Sequence, residues 1–334
     1  MKKLISILLT LLLVFAFAGC GKADTDSTPG SSTPDLTDVT CNIYGIAGPT
    51  GVGLANLMEK AANNKGSLKY NIALAANNDE IVAKIVNKEA DIAAVATNLA
   101  STIYSKTEGG VQVLAVNTLG VLNVVVKGYE ISSIADFKGK TIYSTGQGAN
   151  PEYIINDILK NNGLEVGKDV KVEFVAQPTD LVTKIVTNDK AIVVAPQPVA
   201  TTITIKDTAA KIVLNINDEW DKFHDEQLTM GCIIVRKEYA EKNPEAITAF
   251  LKEYKASVEK ANSDIEGTAA LCEKYTIIAS AGIAKKAIPL CNLVYQDGTA
   301  MKTNLSAYLE FLYNLNPKSV GGKLPTNDFY YGVK

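Results

Sequence analysis

Two glycine-rich stretches and a single histidine carry most of the chemistry this sequence offers. The first stretch, YGIAGPTGVGLANLM from Tyr44 to Met58, runs an apolar segment into Gly45, Gly48, Gly51 and Gly53 and leaves with helical spacing. The second, YSTGQGANPEYIINDIL from Tyr143, sets Ser144, Thr145, Gly146, Gln147 and Gly148 before Asn150, a good N-cap, and Pro151, which suits a first helical position. A strand, a tight turn and a helix start expose backbone N–H groups that bind an anion or another polar group. Neither stretch is a nucleotide loop: GxxxxGK followed by Ser or Thr is missing, and so is GxGxxG. With only His224, no His-based metal triad is available and a Ser-His-Asp triad has one candidate base. No GxSxG elbow occurs. Cys41, Cys232, Cys272 and Cys291 fit no zinc spacing. Buried thiols are the plainer reading of the four, with a Cys272–Cys291 disulfide as the alternative. These patterns call for no cofactor, no metal and no enzyme.

The elements that must position the glycine loops follow an N-terminal leader. Lys2 and Lys3 precede an apolar run from Leu4 to Ala18, which is rather short for a membrane span and ends in small residues, as a secretory signal does. The segment GKADTDSTPGSSTPDLTD that follows is rich in Ser, Thr, Asp, Pro and Gly. It has no apolar periodicity and reads as a flexible tether. About 300 residues remain, enough for two domains at the usual size of about 100 to 200 residues each. The net charge of −3 offers no basic field to nucleic acid. Arg236 is the one arginine, so the usual bidentate clamp for carboxylates and phosphates is scarce.

Internal repetition organises the rest. IVAKIVNKEADIAAVATN from Ile81 and LVTKIVTNDKAIVVAPQP from Leu181 share Val82/Val182, Lys84/Lys184, Ile85/Ile185, Val86/Val186 and Ile92/Ile192 at an offset of 100 residues. Each begins as an amphipathic helix and passes a polar turn into a buried strand. Upstream, Tyr44 and Tyr143 each open a strand–glycine loop–helix unit. The order and spacing predict two similar α/β lobes, starting near Thr40 and near Lys140. In open α/β sheets ligands gather at the carboxyl ends of strands, so two facing lobes aim both loops into one cleft.

The segments EIVAKIVNKEADIAAV, SIADFKGKTIYSTGQGANPEYIINDILKNNGL, KAIVVAPQPVAT and MGCIIVRKEYAEKNPEAITAFLKEYKASVEKAN resemble, in this order, stretches of the solute-binding proteins of nitrate, sulfonate and thiamine-precursor ABC transporters. FAGC resembles the lipobox of bacterial lipoproteins, with Phe17 where Leu is commoner. The resemblance implies a two-lobed type II periplasmic-binding-protein fold, each lobe a mostly parallel sheet flanked by helices. It implies a signal peptide over 1–19, lipidation of Cys20 and a tether over 20–37. Lobe 1 is then 38–126 plus 236–334, and lobe 2 is 127–235. GVLNVVVKG and MGCIIVRKE become the two crossover hinge strands.

Carried over by place, the resemblance assigns ligand binding to Gly48, Pro49 and Thr50 in the first loop. It adds Thr97, Asn98 and Thr118 at strand ends, and Ser144, Thr145, Gly146, Gln147 and Gly148 in the second loop. Gln177 ends the strand KVEFVAQ, and Gln197 completes the set. Pro196 and Gln197 stand where many relatives read Glu-Pro, which removes a cleft charge. The implied role is capture of a small organic solute or oxyanion by a monomeric protein outside the cytoplasm, lipid-anchored to the membrane. Delivery is to an ABC permease and its ATPase. The alternative is a sensor lipoprotein of the same fold. Thiamine-pyrimidine synthases of the same superfamily depend on histidine and cysteine clusters that this sequence lacks. Trp220 and His224 read as a ring packed under a surface loop, or else as lining at the cleft edge. Tyr104 and Tyr153 read as core, Arg236 as the cap of a strand, and Ser306 to Leu315 as a packing helix.

Overall fold

The computed structural model describes residues 36–333. The expected leader, Cys20 and the tether up to residue 35 lie outside the described residues. Eleven strands occur among the described residues: β1 (Thr40–Ile46), β2 (Lys69–Ala75), β3 (Ile92–Ala96), β4 (Val111–Thr118), β5 (Leu122–Lys127), β6 (Thr141–Ser144), β7 (Lys171–Phe174), β8 (Ala191–Pro196), β9 (Lys211–Asn215), β10 (Gly231–Arg236) and β11 (Leu293–Gln296). They form a six-stranded sheet in the order β11-β4-β10-β3-β1-β2 and a five-stranded sheet in the order β7-β6-β8-β5-β9.

The two orders repeat one plan. β1 lies between β2 and β3 as β6 lies between β7 and β8, all in parallel. The next strand in each sheet is antiparallel: β10, from late in the chain, joins the first sheet, and β5, which directly precedes β6, joins the second. β10 enters between β3 and β4, and β5 enters between β8 and β9. The sequence repeat is thus visible in space, down to its lysines. Lys84 Nζ lies 5.6 Å from the centre of the Tyr44 ring, and Lys184 Nζ lies 4.6 Å from that of Tyr143, a cation–π pair in each half.

The strands form where apolar residues run without alternation. β3 (IAAVA) and β8 (AIVVAP) are buried along almost their whole length, as expected of strands covered by helices on both faces. The connecting helices Asn78–Val86 and Pro178–Val186 bury Ile81 and Ile85, and Leu181, Val182 and Ile185, at helical spacing. Each then turns back into its strand by a crossover.

The two expected crossover strands, GVLNVVVKG and MGCIIVRKE, are each built into a sheet. β5 is paired along its full length inside the second sheet, and β10 inside the first. Apolar strands of this kind are stable only when both edges are paired and both faces covered. The chain therefore crosses in the shorter segments beside them, Leu119–Val121 and the stretch that ends at Met230. Residues 122–126 accordingly belong with the second sheet, and 231–235 with the first.

Candidate functional site

The carboxyl ends of the parallel strands of both sheets meet at the crossings. Thr118 ends β4 and Leu122 begins β5, so the two sheet edges lie at most about 14 Å apart along the chain. Gly231 pairs with both Ala96 and Thr118, which gathers the ends of β3 and β4 around the start of β10. In the second sheet, Leu122 pairs with Pro196 and Asn123 with Asn215. The glycine loops after β1 and β6 leave these same edges.

Many of the expected site residues spend their polar groups on the protein itself. Thr97 is buried, and its hydroxyl donates to the Thr229 carbonyl at 2.9 Å while its N–H donates to the Met230 carbonyl. The carbonyl of buried Thr118 accepts from Met230 N at 2.9 Å, and its hydroxyl donates to Asn117 Oδ1. The Ser144 hydroxyl donates to the Val194 carbonyl, fastening β6 to β8. Gln197 N donates to the Val121 carbonyl, and Gln197 Oε1 accepts from Thr201 at 2.7 Å. Asn98 faces the C-terminal turn, with Nδ2 3.4 Å from the Ser319 carbonyl. Gln177 does not end a strand: β7 stops at Phe174, and Gln177 caps the helix Pro178–Val186, where its N–H is held by Asp180.

The first loop is wedged in place. Gly48 has φ +100°, which favours glycine, and its N–H donates to the Ile277 carbonyl. Pro49 opens a four-residue helix, and the Thr50 carbonyl accepts from Asn117 Nδ2 at 3.1 Å. Asn117 Nδ2 also donates to the hydroxyl of Tyr254, whose pKa burial pushes up. The Thr50 hydroxyl would stand 2.9 Å from a Cβ on Gly231, so a side chain there would fill the junction.

The second loop is more exposed, at Gln147 and Gly148 above all, with Thr145 buried and Gly146 half-buried. Gly146 and Gly148 have φ +75° and +73°. The helix begins one residue earlier than expected: Ala149 is the N-cap, and Asn150 and Pro151 open the helix Asn150–Asn161. The cause lies in the sequence, since Glu152 reaches back and its carboxylate accepts from Gly148 N. Tyr153 is not simply core. Its hydroxyl donates to the Gly148 carbonyl at 2.8 Å and accepts from Asn316 Nδ2 at 2.8 Å. The loop is thereby tied to the end of the helix Gly298–Leu315, which packs beside the first sheet.

Trp220 is 3% exposed, and His224 stacks on it with ring centres 3.7 Å apart. Phe311 and Tyr308 meet the indole edge-on, and His224 Nε2 lies 2.7 Å from Asp157 Oδ2. The tryptophan is a packed ring at the joint between the two halves. Arg236 Nη2 lies 2.6 Å from Asp91 Oδ1, and its Nε donates to the Ala90 carbonyl, so the one arginine closes the far ends of β3 and β10.

Surface concavities of about 290 and 380 Å³ lie away from the crossings. Lys60 is paired with Glu253 in the one, and Arg236 with Asp91 in the other. The four described cysteines are free and buried. Burial pushes the Cys41, Cys272 and Cys291 thiols up to about 12. Such thiols are inert rather than nucleophilic. Among the described residues no group of three or more His, Cys, Asp or Glu is placed to hold a metal ion, and no helix is long and apolar enough to cross a membrane.

Known proteins with this architecture decide the family. The sequence profile described as NMT1/THI5 like matches residues 68–264, more than half of the 334. The chain belongs to the NMT1/THI5-like family. No curated protein sequence matches it. Solved structures share the fold of this family member at low identity. An ABC transporter structure from Parabacteroides distasonis has a TM-score of 0.74 at 20% identity, covering 88% of this chain and 99% of that one. The periplasmic aliphatic sulphonate binding protein SsuA of Escherichia coli has a TM-score of 0.68 at 15% identity, covering 89% and 92%. The periplasmic nitrate-binding protein NrtA of Synechocystis PCC 6803 has a TM-score of 0.52 at 16% identity, covering 76% and 69%. The type II periplasmic-binding-protein architecture of the NMT1/THI5-like chain is therefore shown. Within it, Asn117, Asn123 and Tyr153 are polar residues that sequence reasoning passed over or took for core. Asn117 in VLAVNT carried a signal, as an amide inside an apolar strand.

Proposed function

We propose that this protein is an extracytoplasmic, lipid-anchored solute-binding protein that closes two lobes on a small ligand and delivers it to an ABC permease. The observation that carries the reading is the paired plan of the sheets. Both present their carboxyl ends, with a glycine loop each, to crossings that a rigid-body rotation would pivot about. Membership in the NMT1/THI5-like family and the sulphonate- and nitrate-binding proteins of the same fold support it. The ligand-facing set is then Pro49, Thr50, Gly146, Gln147 and Gly148, with the Gln197 amide at the edge. Thr97, Thr118 and Ser144 shape the jaws from behind. Cys20 is the lipid attachment.

A thermal-shift panel of sulfonates, nitrate, pyrimidines, nucleobases and amino acids tests the binding role. A ligand at 100 times its Kd adds about 2.7 kcal/mol of stability. One responsive class supports the reading. A silent panel, together with no small molecule carried by protein purified from cells, removes it. Cys20→Ala is expected to release the protein from the membrane fraction, and retention there would contradict the lipid anchor.

A further inference from the structure

The glycine loop after β6 looks built for an anion, yet the chain already supplies one. Glu152 places a carboxylate on Gly148 N–H, and Pro151 has no N–H to offer. The same device recurs at the helices that follow β2 and β7. Glu80 accepts from Ala76 N at 2.7 Å, and Asp180 accepts from Gln177 N at 3.0 Å. Three helix starts at the carboxyl edges are thus filled by the protein's own carboxylates, where the helix dipole attracts negative charge.

Two unpartnered carbonyl oxygens at the same edge ask for the opposite kind of ligand. Asn150, the first residue of the twelve-residue helix, is 7% exposed, and its Oδ1 has no hydrogen-bond partner. Asn123, just past the first crossing, is 1% exposed, and its Oδ1 is also unpartnered. Its orientation is fixed, because Nδ2 donates to the Val121 carbonyl and exchanging the two atoms would set oxygen against oxygen. Gln197 Nε2 is a third unpartnered atom there, a donor as placed. If that amide turned over, Nε2 would donate to Thr201 and leave one more bare carbonyl oxygen. Buried acceptors without donors are costly and need a complementary group. An oxyanion carries acceptors only and satisfies neither asparagine. A carboxamide, sulfonamide or amine carries the N–H groups that do.

We propose that the solute is an uncharged or cationic molecule recognised through its hydrogen-bond donors, and that Glu152 is the specificity residue that keeps oxyanions out of the glycine loop. This rests on the solute-binding reading above and narrows it, away from the nitrate and sulphonate named for relatives of the same fold.

The test uses the full chain in detergent and two probe pairs matched in shape: methanesulfonamide against methanesulfonate, and nicotinamide against nicotinate. The neutral member of a pair is expected to raise the melting temperature of the wild type, and the anion to leave it unchanged. Asn150→Ala is expected to weaken the neutral probe about tenfold. Glu152→Ala frees Gly148 N–H and is expected to gain a response to methanesulfonate. Glu152→Gln keeps an acceptor at that N–H without its charge, and separates occupancy from field should the alanine variant fail to fold. Stabilisation of the wild type by the anionic members overturns the proposal and leaves the solute-binding role standing. So does an anion response that neither Glu152 variant changes. If no probe shifts any variant and purified protein carries no small molecule, the solute-binding role itself falls, and this inference with it.

Discussion

Gly120 sits in the three-residue crossing between the sheets, and replacing it with alanine tests how rigidly that crossing is held. Its N–H donates to Asn217 Oδ1 at 3.1 Å, and its carbonyl accepts from Asn292 Nδ2. A Cβ there would stand 2.8 Å from Asn217 Oδ1, 2.9 Å from Asn217 Cβ and 2.9 Å from Leu228 Cδ2. Asn217 has little room to yield, because its own Nδ2 donates to Asp221 and its N–H to Asn215 Oδ1. The substitution should break the Gly120–Asn217 bond, at about 1 kcal/mol, and overpack the junction, at about 1–3 kcal/mol. The sum, about 3 kcal/mol, corresponds to a drop of about 6–12 °C in Tm for a chain of this size. Urea unfolding followed by circular dichroism measures it, with the slope against denaturant unchanged. Asn217→Ala removes the same bond, so the double variant should cost about 1 kcal/mol less than the sum of the singles. A Gly120→Ala protein within about 0.5 kcal/mol of wild type would refute this account of the crossing.

Other outcomes follow from the same contacts. Tyr153→Phe loses both the Gly148 and the Asn316 bonds; hydrogen exchange at the loop should rise several-fold and bound ligand should leave faster, with about 1–2 kcal/mol of stability lost. Asp91→Asn strips the charge from the partner of the buried Arg236 and should cost about 3–5 kcal/mol by urea unfolding, whereas a surface pair such as Lys88–Glu238 should cost under about 1 kcal/mol. Hydrogen bonds from Thr326 and Tyr104, and beside them Lys237, hold the Asp328 carboxyl down at about 2, below the usual carboxylate value. Its contribution is therefore present above about pH 4 and lost as pH falls towards 2, and Asp328→Asn should flatten that limb of an acid titration. Cys41, Cys232, Cys272 and Cys291 should ignore a thiol reagent at pH 8 in the native protein and all react in urea; early labelling of any of them would contradict their burial.

Some of this was legible one residue at a time. The repeat at Val82/Val182 and Lys84/Lys184 was readable because a helix followed by a buried strand imposes the same local periodicity wherever it occurs. Arg236 as a strand cap and Trp220 as a packed ring were readable from the apolar run before the one and the polar surroundings of the other. The roles of Thr97 and Thr118 were not. Both look like hydroxyls at strand ends, and only the insertion of β10 brings Thr229 and Met230 to them. Tyr153 passed for core because nothing local marks Asn316, far along the chain, as its partner.

The sequence by itself determined the elements, their doubling and the two glycine turns, since these follow from local periodicity and from backbone angles that glycine tolerates. Tertiary structure alone decided where the antiparallel strands β5 and β10 insert, and so where the chain crosses. It also decided which polar groups at the edges are already bonded and which wait for a partner. Those outcomes depend on pairing between strands far apart in the chain. Such pairing is set by competition among whole strands for buried edges, which no local pattern records.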